Sequence, residues 1–353
     1  MLRVNKVREK LEENNVEALL VTNMYNLRYL TNFTGSTALA VITKEEAYFV
    51  TDFRYTEQAR EQAKGFTIIK NEGLIYKEVA KIAKDDGIKR LAFEETDISY
   101  ATYKKIDQLI DAELVALSGV VEKIREIKSE EEIETIQKAV EITEKAYDYI
   151  LGIAKEGMKE IELANELDFY MRKLGASGVS FDTIVASGVR SAMPHGVASE
   201  KLIEKGDMIT IDFGCIYNGY VSDMTRTFAL GDPGEELKEA YEVVYQANKK
   251  VAEEARAGMT GAEMDAVARD YITKAGYGDK FGHSTGHGIG LEVHEGPGIN
   301  ARNNNELQVN NVVTNEPGIY LPGLGGIRLE DDLVITEDGN RNLMTLSKKL
   351  IIL

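Results

Sequence analysis

The sequence predicts an α/β (α+β) protein of two domains, the second built from two similar halves related by a pseudo-two-fold axis. Three observations lead there. Helical and β-rich runs alternate up to about Gly119, a capping signature then opens a long amphipathic helix, and an internal repeat runs through the remainder of the chain. At 353 residues the chain also exceeds what one compact core usually carries.

The first domain is expected over residues 1–122. Helical spacing covers Val4–Asn14, and Ala18–Val21 reads as extended. Ala38–Ile42 and Ala47–Val50 pair, and Thr56–Ala63 is again helical. Strands at Phe66–Ile69, Leu91–Glu94 and Leu114–Ala116 then alternate with helices at Tyr76–Ala83 and Tyr100–Leu109. A charged linker is expected around Glu122–Lys128. The second domain, residues 129–353, opens where Ser129 and Glu132 have the spacing of a capping box, with Ile133, Ile136, Val140, Tyr147 and Ile150 continuing at helical spacing.

Within that domain Gly157-Met158 and Gly258-Met259 each open a helical stretch, closed by Gly175 and Gly276. Both stretches keep a Glu (Glu162, Glu263), a Tyr (Tyr170, Tyr271) and a Lys (Lys173, Lys274), every pair offset by 101 residues. Downstream, a strand running from Met208 to Asp212 and then Gly214 is matched by one running from Val312 to Glu316 and then Gly318. Two similar α/β halves facing one another account for the pattern.

Composition excludes several functions. With 42 basic against 59 acidic side chains the net charge is −17, a surface that repels phosphate backbones, so no nucleic-acid partner is expected. No apolar run is long enough to span a membrane, and nothing near Met1 reads as a signal peptide. One cysteine, Cys215, leaves no intramolecular disulfide and fits a reducing compartment, so the expected location is cytoplasmic.

The chemistry concentrates late in the chain. All four histidines, His195, His283, His287 and His294, follow residue 190, and three lie among glycines where backbone can approach a ligand closely. Asp212 ends an apolar strand, where an unpaired carboxylate is costly, so something cationic should neutralise it. Asp223 follows the turn-like Tyr217-Asn218-Gly219, so the two acids can face each other across a hairpin, and Glu316 and Glu330 repeat this around Pro322-Gly323. Four such carboxylates repel unless countered, and two divalent ions would match their charge. A buried salt-bridge network using Arg226 and Arg328 is the plainer alternative.

Together, Asp212, Asp223, His287, Glu316 and Glu330, with Ser191-Ala-Met-Pro-His195-Gly before them, resemble the Xaa-Pro peptidase branch (prolidase and aminopeptidase P) of the pita-bread metallopeptidases, family M24. Arg28-Tyr-Leu-Thr-Asn-Phe-Thr-Gly-Ser36 and Asp52-Phe-Arg-Tyr-Thr-Glu-Gln-Ala59 extend the likeness to the creatinase-type amino-terminal domain. Asn310, Asn311 and Asn315 depart from the usual pattern without touching a ligand position.

The resemblance implies a pita-bread catalytic domain, two divalent metals and a homodimer. Asp212 would hold one metal, His287 and Glu316 the other, and Asp223 and Glu330 would bridge. It also implies catalytic roles for His195 and His294, and for Glu316 as a proton shuttle. Mn²⁺ is the expected ion because carboxylates and water are its preferred ligands, with Co²⁺, Fe²⁺ or Zn²⁺ as alternatives. An Xaa-Pro bond is a tertiary amide with no N–H, so its site must grip the ring by packing. His283, Tyr220, Tyr320 and Arg328 flank the ligands as candidate pocket residues, and Arg302 as an anchor for a dipeptide carboxylate. Xaa-Pro dipeptides or short peptides are the expected substrates. Aminopeptidase P action on longer peptides is the nearest alternative, with methionine aminopeptidase and a non-catalytic binding module more remote.

Overall fold

The computed structural model describes residues 2–353 and divides into two compact units, one ending at Arg125 and the other spanning Glu126–Leu353. The first contains, in order, α1 (Leu2–Glu13), β1 (Ala18–Val21), α2 (Met24–Thr31), β2 (Ala38–Thr43), β3 (Ala47–Thr51), α3 (Thr56–Gln62), β4 (Thr67–Lys70), α4 (Ile75–Asp85), β5 (Arg90–Glu94), α5 (Tyr100–Leu109), β6 (Glu113–Leu117) and α6 (Val120–Arg125). One mixed sheet runs β4-β3-β2-β1-β5-β6. Its central strand β1 is buried along its whole length, as expected of a strand covered on both faces. Leu20 packs with Val79 of α4 and Ile106 of α5 in one core.

Every element expected in this unit is present, with ends displaced by a residue or two, and two helices are additional. In α2, Asn23 caps the start by accepting the Tyr25 and Asn26 N–H groups, and Asn32 closes it in the left-handed region. In α6, the charges that read as a linker are used internally: Asn26 Nδ2 donates to Glu122 Oε1 at 2.8 Å, and Arg125 Nη1 donates to Asn26 Oδ1 at 2.8 Å. The expected linker is therefore helical as far as Arg125.

The second unit continues with α7 (Glu130–Ile153), α8 (Glu160–Lys173), β7 (Gly178–Val179), β8 (Ile184–Ser187), β9 (Met208–Phe213), β10 (Cys215–Tyr217), β11 (Tyr220–Val221), β12 (Met224–Ala229), α9 (Glu235–Glu254), α10 (Gly261–Lys274), β13 (Gly286–Gly288), β14 (Glu295–Ile299), β15 (Val312–Asn315), β16 (Gly318–Leu321), β17 (Gly325–Arg328), β18 (Asp331–Ile335) and β19 (Asn340–Asn342). The duplication is visible element by element. Helices α8 and α10 begin and end 101 positions apart, and at each start a glutamate accepts the N–H of the cap residue, Glu162 from Lys159 and Glu263 from Thr260, whose hydroxyl completes a capping box in α10 alone. Strand order β12-β9-β8 recurs as β18-β15-β13, antiparallel throughout.

A small hairpin is inserted between the last two strands of each half. In the first, Asn218 (φ 48°) and Gly219 (φ 86°) both take positive φ, as a two-residue turn of matched twist requires. In the second, β16 pairs with β17.

Two cores form, one packed on α7 and α8 and the other on α9 and α10, and each draws on both halves: Val312 and Val334 join the first, Met208 and Ala229 the second. Alternation along β9 serves both: Ile209, Ile211 and Phe213 join the first core, while Met208 joins the second. The halves are also joined by hydroxyls. Thr210 Oγ1 donates to Gly326 O at 3.2 Å and Thr227 Oγ1 to Arg328 O at 2.9 Å. On α9, the buried Asn248 Nδ2 donates to Asn315 O (2.8 Å) and Leu329 O (3.2 Å), while Asn315 Nδ2 donates back to Asn248 O at 2.8 Å. Asn315, a departure from the family pattern, is thus a packing partner.

Replacing Asn248 by Ala strands two buried carbonyls, so N248A is expected to lower stability by roughly 1–3 kcal/mol. Urea unfolding of the full chain measures this. An unchanged midpoint would mean that those carbonyls find other partners.

Candidate metal centre

Both halves present acids at the same strand ends. Asp212 lies near the end of β9, opposite Thr225 of β12. Asp223 precedes β12, Glu316 follows β15 and Glu330 precedes β18. Glu330 N–H donates to Thr225 O at 3.0 Å and Thr225 Oγ1 to Glu330 Oε2 at 2.7 Å, so the acid of one half is fixed by the strand of the other. His287 sits at the middle of β13, whose flanking glycines serve the neighbouring strands: a side-chain carbon at Gly286 would collide with Thr314 O, and one at Gly288 with Gly296 O. The Thr314 hydroxyl accepts from His287 N at 3.0 Å and donates to Glu316 Oε1 at 3.3 Å.

Charge at this centre is unbalanced. Arg328 Nη2 donates to Asp212 Oδ2 at 2.7 Å, yet Asp212 Oδ1 is buried without a hydrogen-bond partner. Burial, reinforced by Glu330 and Asp212, pushes the Asp223 carboxyl well up. Burial likewise raises Glu330, with Glu316 and Asp212 adding to it. Glu316 is pushed up to about 8 by burial, partly offset by Arg328 and increased by Asp212. Arg226, the other cation considered in the salt-bridge alternative, is spent on Asp331, which Lys348 also contacts.

His287 Nδ1–H donates to Gly288 O at 3.1 Å, which leaves Nε2 directed at Glu316 Oε1 (3.4 Å) and Asp223 Oδ2 (3.7 Å). Burial holds its pKa down at about 4, so the ring is a neutral donor at neutral pH. Asp223, His287 and Glu330 offer ligand atoms within 4.8 Å of one another. An orphaned carboxylate oxygen, mutually repelling buried acids and a neutral imidazole fit divalent cations better than a salt-bridge network. The tie from Arg328 to Asp212 supplies one positive charge against four carboxylates.

These groups line a cavity of about 510 Å³ together with His195, His294, His283 and Arg328. The ring centroids of His287 and His294 are 4.5 Å apart. Around Arg328 the polar groups form a chain. Nη1 donates to Tyr320 Oη and Pro194 O, Nε to Thr225 Oγ1, and Tyr320 Oη in turn lies 2.8 Å from His283 Nε2. His283 Nδ1 reaches Ser284 O at 2.8 Å, so both its nitrogens are engaged in holding the wall.

Three expected pocket residues lie outside the cavity lining, Tyr320 reaching it only through its bonds with Arg328 and His283. Tyr220 turns its hydroxyl to Glu132 Oε1 at 2.6 Å, and Arg302 is exposed on its loop, outside the cavity lining, where Asn300 faces the cavity instead. Phe181, Ile184, Val197 and Val293 form an apolar part of the lining that the sequence reading did not single out. Nothing in their local spacing separates them from core residues.

Known proteins share this family and fold. Residues 134–337 match the model of Metallopeptidase family M24, and residues 3–127 that of the Creatinase/Prolidase N-terminal domain. The chain is 40% identical to a protein of Pyrococcus horikoshii named Xaa-Pro dipeptidase, covering 99% of this chain and 98% of that one. It is similar to the solved structure of an Xaa-Pro dipeptidase from Bacillus anthracis, with TM-score 0.99 and 50% identity over 100% of this chain and 99% of that one. A solved X-Pro aminopeptidase from Thermotoga maritima aligns with TM-score 0.91 and 42% identity, covering 96% and 98%.

Raised carboxyls give the site a pH signature. Glu316 holds its proton more tightly folded (about 8) than unfolded (4.5), so the native state binds more protons across that window and stability falls as pH rises through it. Chelator-treated protein should melt at progressively lower temperature from pH 5 to 8, and added Mn²⁺ should restore more at pH 8 than at pH 5. A metal-free melting temperature flat across this range would contradict such crowding of charge.

Proposed function

The chain belongs to metallopeptidase family M24 and is a hydrolase of that family; from that premise we propose that it cleaves the Xaa-Pro bond of dipeptides using two divalent ions, most simply Mn²⁺. The observation that carries this is the convergence of four carboxylates, Asp223 and Glu330 buried and Asp212 and Glu316 partly so, with His287 in a cavity lined by three further histidines and an apolar surface. Asp212, Asp223, His287, Glu316 and Glu330 would hold the ions. Bound there, divalent cations supply an activated water and a Lewis acid for a peptide carbonyl.

The chain's own residues supply the rest. Phe181, Ile184, Val197 and Val293 offer the packing that a proline ring needs when no amide N–H is available to bind. His195 and His294 line the same cavity, where an imidazole can donate to a developing oxyanion or pass a proton to the departing nitrogen. By the family resemblance, Glu316, which also lines the cavity, would carry a proton from water to the product amine. Arg328 keeps Asp212 in place and closes the wall through Tyr320 and His283. A homodimer and a cytoplasmic setting complete the reading, the first from family resemblance and the second from the lone Cys215.

The names of the Pyrococcus horikoshii and Bacillus anthracis relatives support the dipeptidase form. One observation favours longer substrates instead. Arg328, the cation lining the cavity, already donates to Asp212, Thr225, Tyr320 and Pro194, so a dipeptide carboxylate would have to compete for it. The name of the Thermotoga maritima neighbour agrees with that second reading.

With Mn²⁺ supplied, kcat/KM on Ala-Pro should exceed that on a longer Ala-Pro-led peptide by about tenfold or more, a difference of roughly 1.4 kcal/mol in transition-state binding. The reverse order would select the aminopeptidase form, and cleavage of neither would end the Xaa-Pro assignment. Because one imidazole serves the centre, H287A should weaken one of two metal-binding steps by about tenfold or more and spare the other. Calorimetric titration distinguishes that from equal weakening of both, which would refute inequivalent sites.

A further inference from the structure

Glu160 is the first residue of α8 and has no solvent exposure. The repeat places Gly261 at its counterpart, 101 positions on, where a side-chain carbon would collide with Gly298 O. The carboxylate is therefore not something the duplicated scaffold requires, and its partners indicate what it serves.

Glu160 Oε1 accepts from Ser187 N (2.7 Å) and Ser187 Oγ (2.9 Å). Its Oε2 accepts from Ser199 N (3.2 Å), Ser199 Oγ (2.6 Å) and Arg190 Nη1 (3.1 Å). Ser187 and Ser199 are the two ends of one loop, so a single buried carboxylate closes its base. Backbone bonds add to the closure, with Glu160 N–H donating to Lys201 O and Ile161 N–H to Ser199 O, each at 3.0 Å. Arg190 then spans the loop, its Nη2 donating to Val197 O at 3.0 Å.

At the tip of this loop stands His195, facing the cavity. Apolar burial does little to hold the tip, since Val189, Met193 and Val197 are all about half exposed (56%, 46% and 50%). What fixes it is polar: the Glu160 closure at the base, Arg190 across the middle, the buried Ser191 Oγ accepting from Gly326 N at 2.8 Å, and Arg328 Nη1 donating to Pro194 O at 3.2 Å beside His195. A charge-assisted hub of five donors on one carboxylate is stiff, and it gains further from lying at a helix N-terminus.

We propose that Glu160 is a positioning residue for His195: it clamps both ends of the Ser187–Ser199 loop and so sets the place of that imidazole in the cavity. Its catalytic consequence rests on the role proposed for His195; the clamp itself does not. Glutamine at this position keeps the shape but turns an NH₂ toward groups that are themselves donors.

The test uses the metal-loaded full chain carrying E160Q, with R190A as a second variant that removes one strut at a partly exposed position should E160Q fold poorly. Hydrogen exchange should show faster exchange at the Ser187 and Ser199 amides in E160Q, with Gly286–Gly288 unchanged. On an Xaa-Pro substrate kcat should fall on the order of 10–100-fold, as expected for a displaced group, while KM and metal content stay within about twofold. In an H195A background E160Q should cost less than about twofold more, because the effect passes through that ring. A full additional loss in H195A, or unchanged protection at both serines, overturns the proposal. If the parent protein cleaves no Xaa-Pro peptide, the functional reading has failed, and the exchange pattern still decides the clamp.

Discussion

Mutual repulsion among Asp212, Asp223, Glu316 and Glu330 is the constraint around which the second unit is arranged. Left free, four carboxylates so largely withdrawn from water would separate, take up protons or admit water. They cannot separate, because each stands at a strand end fixed by a partner element. Asp212 is paired across the ladder with Thr225, Glu330 is bonded to the same Thr225, and Glu316 N–H donates to Thr285 O. Thr285 in turn is held by Asp265, whose carboxylate is gripped by Arg269. The stored electrostatic cost becomes affinity for cations, and stability and metal binding are in this sense one property of the protein.

That arrangement explains why hydroxyls join the apolar contacts in connecting the halves near the centre. Thr210, Thr225 and Thr227 lie on alternate positions of β9 and β12 and turn toward the other half, where their hydroxyls meet Gly326 O, Glu330 and Arg328 O. A β-branched side chain with one hydroxyl suits a strand and satisfies a buried carbonyl together. Ile209, Ile211 and Phe213 on the opposite face keep the ordinary apolar contact with α7 and α8. Two-residue periodicity thus separates the chemistry of the sheet from its stability.

How legible this was depends on whether a residue's role is local. Acids ending apolar strands announce themselves, because an unpaired carboxylate there conflicts with its neighbours in sequence, and the capping boxes and the 101-residue repeat are likewise written in short windows. Tyr220 and Arg302 looked equally near the ligands along the chain, but one turns to Glu132 on α7 and the other to solvent. A strand's alternation decides the first, and the course of an irregular loop decides the second. Phe181 and Val293 were invisible for the opposite reason: an apolar side chain lining a cavity has the same local signature as one filling a core. Helix α6 was missed because its Glu122 and Arg125 find their partner, Asn26, some hundred residues earlier.

Duplication supplies the symmetric part of the site, and departures from duplication supply its chemistry. The repeat sets Ala186 on β8 against His287 on β13, so one half brings an imidazole where the other brings a methyl group. Aspartate at 212 faces glutamate at 316, and Arg328 pairs with the first while Thr314 donates to the second. Glu160 closes the loop bearing His195, whereas Gly261 leaves room for the Gly298 backbone. A strictly two-fold cluster would present two equal cation positions and no direction across the cavity. Each substitution that breaks the symmetry gives the cavity an orientation, with neutral imidazole on one side and a guanidinium-held aspartate on the other. A peptide bond has two unlike ends, a carbonyl to be attacked and a nitrogen to be protonated, and a site with that polarity can treat them differently.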